Sequence, residues 1–423
     1  MGEHPSARHA SISSPAIFTC ERWSSGLPGH PEDLVGRLLQ RRYPVLACCE
    51  NRVFVATDPV EVVTGRAVWD ALDRIPLCGG AGEGWWFGLL AYDLGTAIEM
   101  LPSPRPDPGG PPRAWLGRYT TVAEYSPRGV RVLSVDRASE GLGPLGDAPP
   151  SGPAAANGAG WTTSLPHREY VARVTDVRAL IRAGDCYQVN LAQRLTAAAP
   201  ADAFGFARRL WDAGRTPHLR AYLALDEGTV VSASPERLVS VRDGVAESQP
   251  IKGTIAAGRF DELVRSPKDR AEHVMIVDLV RNDLGRVAVT GSVHVPELMV
   301  PLRTGYVDHM VSTVRATCLP DATAADLVWA LFPGGSVTGC PKVRSMEVIR
   351  DLEPVNRGPA FGSVVAATPE GEIDSSILIR TAWLTGDEVR YWSGGAVTWD
   401  SDPEAEHAEA MAKARPFLEA IGA

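Results

Sequence analysis

The spacing of the apolar residues changes repeatedly along this chain, and that switching restricts the fold more than any other feature. Val171, Val174, Val177, Leu180 and Ile181 recur at three and four residues, which predicts a helix starting near Arg168 and stopped by Gly184. Directly afterwards CYQVNLAQRL alternates with period two. Tyr187, Val189 and Leu191 share one face of a predicted strand, while Gln188 and Asn190 share the other and meet solvent or a polar pocket. Further strands are predicted over 219–225, 229–233 and 238–241, and over 119–124 and 131–136 around the turn SPRG. Longer helices follow. SPKDRAEHVMIVDLV has Ser266 as N-cap, Pro267 at the first helical position and Asp269 at the third, with Glu272 and Ile276 continuing the spacing. DPEAEHAEAMAKARPFL repeats the arrangement with Asp402 and Pro403. Glu406, Glu409 and Lys413 lie along one stripe; Ala405, Ala408, Ala412 and Phe417 are expected to pack on a sheet or helix from the other side. Strands and helices alternating over 423 residues imply stacked α and β layers.

Two segments cannot be central elements: LPSPRPDPGGPPR (101–113) and ASEGLGPLGDAPPSGPAAANGAG (138–160), whose small residues and prolines leave little to bury. The first reads as a surface loop; the second divides the chain into an N-terminal portion (1–137), a linker or loop (138–160) and a C-terminal portion (161–423). Forty-two Lys and Arg stand against 51 Asp and Glu, a formal charge of −9, with no basic stretch interleaved with aromatics, so nucleic acid is a poor partner. No run approaches 18 apolar residues, which argues against a membrane span, and the first residues read as a frayed terminus. Seven scattered cysteines, without CxxC spacing, suit a reducing cytoplasm better than a disulfide framework.

Several positions could carry chemistry. Lys252 lies in QPIKGTIAAG, where Gly253 and Gly258 permit close backbone approach; it could clamp an anion, act as a desolvated nucleophile, or be an ordinary surface charge. LFPGGSVTGCPKVRSMEVI joins a glycine turn to a helix beginning near Pro341, but lacks the Gly-Lys-Ser/Thr of a phosphate loop; its backbone N–H groups could receive a carboxylate or serve structure alone. The acidic helix starts suggest an oxygen-ligated Mg2+ site with Glu272 and Glu409 as the direct pair, although acids in a first turn are ordinarily dipole partners. His309, among Val307, Met310 and Val311, suits a packed histidine or a catalytic one.

Taken together, SPERL, PIKGT, SPKDRAEHVMIVDLVRNDLG, GYVDHMVSTV, FPGGSVTGCPK, GEIDSSILIRTAW and DSDPEAEHAEAMAKA resemble the chorismate-utilising enzymes, in order, across most of the chain from Arg168 onward. The resemblance implies an α+β fold of two layers, with antiparallel-rich sheets packed around a central active site, and Mg2+ holding a carboxylate of chorismate. It assigns Glu272 and Glu409 to the metal, with Asp269 and Glu406 as supporting acids. Arg380 and the SGGAV segment (Gly394, Gly395, Ala396) become substrate-recognition elements, with Gly253, Thr254, Thr338, Gly339 and Lys413 beside them.

PIKGT is similar to the form found in the aminodeoxychorismate synthase branch; anthranilate synthases usually carry a small residue at the lysine position. That branch implies attack by Lys252 on C2 of chorismate, a proton from Glu236 to the departing C4 hydroxyl, and His309 positioning or polarising the ring. Ammonia would resolve the covalent intermediate to 4-amino-4-deoxychorismate, the precursor of para-aminobenzoate for folate or an aromatic-amine natural product. A separate glutamine amidotransferase is the expected ammonia source. The chain departs from the family pattern where the arginines after PIKGT are absent, where Ala360 replaces a usual tyrosine and Val365 a usual glycine. It also lacks the LLES-like segment, so tryptophan inhibition is not expected. The rival readings are an anthranilate synthase component I or another chorismate-aminating enzyme, and a catalytically degenerate scaffold or regulatory subunit.

Overall fold

Antiparallel pairing joins the described strands into two large sheets, and neither belongs to one end of the chain. The structure, a computed structural model, describes residues 22–23, 28–49, 52–79, 82–107, 109–136, 142, 145, 160–214, 219–256, 258–303 and 307–423. The frayed terminus, Cys20 and most of the 138–160 segment lie outside the described residues. Of that segment, Leu142 is buried in a helix-lined core rather than looped away from it.

A twelve-stranded sheet runs from Arg22–Trp23 through Gly129–Ser134, Thr121–Ser126, Arg52–Ala56, Val45–Cys49, Leu219–Ala224, Thr229–Ser234, Thr381–Leu384, Glu388–Val397 and Gln188–Ala198 to Gly339–Cys340; Trp161–Thr163 pairs with Gln188–Ala198 outside that path. A ten-stranded sheet runs from Ile251–Ala256 through Val307–Thr317, Val245–Ser248, Arg237–Arg242, Ile373–Ile377, Ser363–Ala367, Trp85–Leu90 and Ala114–Tyr119 to Glu61–Thr64, and His294–Arg303 pairs with Val307–Thr317. Val45–Cys49 bonds to Leu219–Ala224, and Trp85–Leu90 to Ser363–Ala367, so strands from before and after the 138–160 segment interleave in both sheets.

Alternation along the strands sorts their side chains. Phe54, Ala192, Val230 and Trp383 of the larger sheet pack with Phe87, Val239, Val314 and Val364 of the smaller one in a central core. Val189 and Leu191 turn to the opposite face, against Tyr170, Val174 and Val177 of helix His167–Ala183 and Val348 and Ile349 of helix Lys342–Leu352. Gly184 ends the first of these helices with φ 85°, as its sequence predicts. Ser266 accepts from the Asp269 N–H at the head of helix Pro267–Leu284, and Asp402 accepts from the Ala405 N–H at the head of Pro403–Ile421.

Three local expectations are corrected. Tyr187 precedes the strand Gln188–Ala198 and is 69% exposed, while its neighbour Cys186 packs with the covering helices instead. The predicted strand 119–124 is two strands in different sheets: Tyr119 ends Ala114–Tyr119, and the chain bends at Thr120 before Thr121–Ser126. On the last helix Glu406, Ala410, Ala414 and Phe417 are buried, while Ala405, Ala408 and Ala412 face out. Alanines occupy several faces of this helix, and the packing of Phe417 against Phe206 and Tyr391 decides which is inner. Among the described residues no helix is long and apolar enough to cross a membrane.

Candidate active site

Lys252 takes its direction from a β-bulge. Where Ile251–Ala256 pairs with Val307–Thr317, the register slips between Lys252 and Thr254, so that Lys252 faces Met310 and Thr254 faces His309 in the ladder. Gly253 occupies the slip at φ 72°, and a β-carbon there would lie 2.7 Å from Leu263 Cδ1. Conformation and space both require glycine. The partly buried Lys252 Nζ donates to the Ser336 carbonyl at 3.5 Å. Thr254 belongs to this strand, but its side chain lies outside the described residues.

Burial pulls the Lys252 ammonium below its ordinary pKa; Glu236 resists that shift, while Lys413 adds to it. Glu272 and Glu409 also act on Lys252, which puts the lysine within electrostatic reach of both acidic helices. Glu236 itself is buried between Thr229–Ser234 and Arg237–Arg242. Its N–H donates to Ser234 Oγ at 3.2 Å and its carbonyl accepts from the Ile377 N–H at 3.0 Å. Burial raises its carboxyl pKa against the pull of Lys252 and Lys413. The same low-dielectric surroundings therefore favour a neutral amine and a neutral carboxylic acid side by side, the states a nucleophile and a proton donor need.

His309 is buried, and burial, reinforced by Arg380, takes its pKa down to about 4, so its ring is neutral at pH 7. His273 is a second such ring that the sequence reading missed. Burial and the nearby Lys252 bring it to about 4, and its Nε2 is 2.6 Å from Ser312 Oγ. The available signal was its place three residues before the buried Ile276, on the inner stripe of the helix.

The acidic residues converge from two helices. Thr398 Oγ1 donates to Glu272 Oε1 at 3.3 Å, the Thr398 N–H donates to Ser401 Oγ at 2.9 Å, and Ser401 Oγ donates to Glu406 Oε1 at 2.6 Å. One hydrogen-bonded chain thus links Glu272 to the buried Glu406. Glu409 pairs with Lys413 at 2.7 Å, and Lys413 Nζ also donates to the Gly394 carbonyl at 3.2 Å. A β-carbon on Gly395 would come within 3.2 Å of Glu406 Oε2 and 3.9 Å of Glu409 Oε1, so both carboxylates close over this glycine. At Gly394 it would strike the Leu191 carbonyl at 2.1 Å, so that glycine serves strand packing. Ala396 pairs with Asn190 in the same ladder. Asp269 stands three residues before Glu272 in the first helical turn, its N–H donating to Ser266 Oγ at 3.3 Å. An all-oxygen set of this kind suits a hard cation such as Mg2+. Among the described residues no group of three or more His, Cys, Asp or Glu side chains is gathered to hold a metal, so an ion here would complete its shell with water and ligand oxygens.

The remaining expected residues divide between support and pocket wall. Thr338 turns its hydroxyl back to donate to the Gly334 carbonyl at 3.0 Å. Gly339, at φ 139°, brings its short strand against Gln188; a β-carbon would sit 2.1 Å from the Gln188 carbonyl. Arg380, at φ 51°, donates to the Gly214 carbonyl at 3.4 Å, and its charge reaches His309. Gln188 and Asn190 are buried, and among the described residues Gln188 Oε1 and Nε2 and Asn190 Nδ2 find no hydrogen-bond partner. Such groups belong to a polar pocket rather than a solvated face, which resolves the alternative left open by the strand pattern. Ala360 and Val365 sit in the central core.

Two large antiparallel sheets, a partly buried amine beside a buried acid, and carboxylates converging from two helices are the arrangement of an α+β enzyme fold. Residues 45–419 match the chorismate binding enzyme family, and the chain belongs to it. It is 40% identical over 358 residues to aminodeoxychorismate synthase component 1 of Klebsiella aerogenes, covering 82% of this chain and 78% of the relative. It is 32% identical to anthranilate synthase component 1 of Saccharolobus solfataricus over the full length of both. Among solved structures, anthranilate synthase component I of Streptococcus pneumoniae superimposes with a TM-score of 0.76 at 26% identity, covering 90% of this chain and 92% of that one.

Proposed function

We propose that this chain is the component I type of aminodeoxychorismate synthase, converting chorismate and ammonia into 4-amino-4-deoxychorismate. The observation that carries the reading is Lys252 itself, held by the Gly253 bulge among Glu236, Lys413 and the acidic helices, with burial favouring its free amine. The likeness to the Klebsiella aerogenes component 1 supports the same branch.

Lys252 Nζ bonds to C2 as the ring double bond shifts and the C4–O bond breaks. The hydroxyl leaves as water with the proton of Glu236. Ammonia then bonds to C4, the shift reverses, and the C2–N bond breaks to return Lys252; the surplus proton of the new ammonium passes to the Glu236 carboxylate. Neutral His309 orients the ring as a hydrogen-bonding group rather than a charge. Lys413 and Arg380 attract the two carboxylates of the substrate. A magnesium ion held from Glu272 and Glu409, with Glu406 and Asp269 as supports, would neutralise one of those carboxylates. A separate glutamine amidotransferase supplies the ammonia.

Product identification tests this. Purified chain given chorismate, Mg2+ and ammonium is expected to yield 4-amino-4-deoxychorismate, and Lys252→Ala to abolish it. Anthranilate as the product would overturn the assignment in favour of the anthranilate branch. No turnover with ammonium or with a compatible glutaminase, despite binding of that partner, would favour a non-catalytic role.

A further inference from the structure

Next to Glu236 lies a cavity of about 20 Å³, lined among others by Ser248, Val280, Asp283, Gly335 and Ser336. One water needs about 10–15 Å³ and two to four polar partners. The lining supplies them. Glu236 Oε1 and Asp283 Oδ1 are both buried and, among the described residues, no well-formed hydrogen bond reaches either oxygen; the Ser336 hydroxyl lies close enough to act on the Glu236 carboxyl, and Asn282 acts on Asp283. Leaving two buried carboxylate oxygens dry would forfeit their hydration with nothing in return.

Asp283 cannot swing away to find another partner. Its Oδ2 is 2.8 Å from Lys342 Nζ in an ion pair whose side chains are 4% and 7% exposed, and Lys342 Nζ also donates to the Leu331 carbonyl at 3.4 Å. Lys342 comes from the start of helix Lys342–Leu352 and Asp283 from the end of Pro267–Leu284. A fixed carboxylate thus borders the same small space as the proposed proton donor, with one oxygen to spare.

We propose that this cavity holds one water donating to both Glu236 Oε1 and Asp283 Oδ1, which makes Asp283, anchored by Lys342, a positioning residue for the proton donor. The inference rests on the reading of Glu236 as the acid of the reaction. The carbonyl oxygen of a carboxylic acid is a better acceptor than its hydroxyl oxygen, so a water donating to Oε1 favours the Glu236 proton on Oε2. The water fixes the carboxyl rotamer and the position of the proton at once, and its lone pairs remain for donors such as the Ser336 hydroxyl. The negative charge of Asp283 across the water also strengthens the hold of Glu236 on its proton, against the pull of Lys252 and Lys413.

A high-resolution crystal structure of the full chain, together with two variants, tests the proposal. Water density within hydrogen-bonding distance of both oxygens is expected. Asp283→Asn removes the anion and should move one limb of the kcat–pH profile to lower pH by about one unit, leaving the other limb in place. Val280→Ile fills the cavity without changing any charge and should lower kcat roughly tenfold with KM within about twofold of the original. A purely structural role for Asp283 would leave both the limb and the kcat–KM split untouched. A cavity without water density overturns the proposal, as does an unchanged pH limb and kcat in the folded variants. Should Asp283→Asn fail to fold because Lys342 is left unpaired, Val280→Ile decides alone. Wild-type product identification is run alongside. A different chorismate product would refute the proposed reaction while leaving the pH limb measurable, and water density is read without turnover.

Discussion

Replacing Lys252 by methionine separates its chemical role from its structural one, because the two side chains are close in length and only the amine is lost. In the folded protein that amine makes a 3.5 Å contact with the Ser336 carbonyl, a long hydrogen bond worth about 1 kcal/mol or less. Against it stands burial of the ammonium, which disfavours the charged form. Since the folded pKa of Lys252 lies below the unfolded value of 10.5, the unfolded chain holds the extra proton between those two values. Wild-type stability therefore climbs as pH rises through that window, and Lys252→Met should lack the climb. At neutral pH the variant should be at least as stable as the original, with urea midpoints unchanged or higher, while kcat for amination falls by a factor of about 10²–10⁴ or more with loss of the nucleophile. Product quantification from chorismate and ammonium measures the first effect, and intact-mass analysis during turnover looks for a substrate adduct confined to the wild type. Amination retained within about tenfold in Lys252→Met would refute the covalent route, because no general positioning role for the amine accounts for a group that can be deleted.

Other outcomes follow from the same geometry. His273 and His309 have folded pKa values of about 4 against 6.5 unfolded, so they contribute stability above pH 6.5 that is lost as pH falls to about 4, roughly 2–3 kcal/mol for each. Urea titrations from pH 7 to 4 should show the decline, and His273→Gln should flatten it. Gly253→Ala should cost about 1–3 kcal/mol through strain at φ 72° and contact with Leu263, and should lower kcat by displacing Lys252; thermal unfolding and steady-state kinetics check the two parts. Glu272→Gln and Glu409→Gln should each weaken Mg2+ binding by at least the roughly 10–100-fold that loss of a ligand's outer hydrogen-bond partner causes, read in calorimetric titrations, and a chelator should stop wild-type turnover until Mg2+ is restored.

Much of the site was legible as separate fragments. The caps Ser266 and Asp402 announce their helices through neighbouring residues alone, and Glu272, Glu406 and Glu409 then fall at set intervals along them. Gly184 marks a helix end for the same local reason, since its φ 85° disfavours a side chain. The alanine-rich last helix shows the limit of such reasoning. Ala405, Ala408 and Ala412 are as apolar as Ala410 and Ala414, so apolarity does not pick the inner face; the stripe through Phe417, three and seven residues after Ala414 and Ala410, does, and the contacts of Phe417 with Phe206 and Tyr391 show it to be the buried one.

What local spacing determines is the period of each segment, its caps, its breaks and the kinds of side chain it offers, because these depend on residues within a turn or two of one another. Which segments meet was decided by tertiary structure: the interleaving of strands from both ends of the chain in each sheet, the change of sheet at Thr120, and the approach of Lys252 to Ser336, 84 residues away. The depressed lysine, the raised glutamic acid, the neutral histidines and the Asp283–Lys342 pair all follow from that assembly. Each arises from desolvation or from a charge brought in by a distant element, and neither quantity exists until the sheets and helices have closed around the residue.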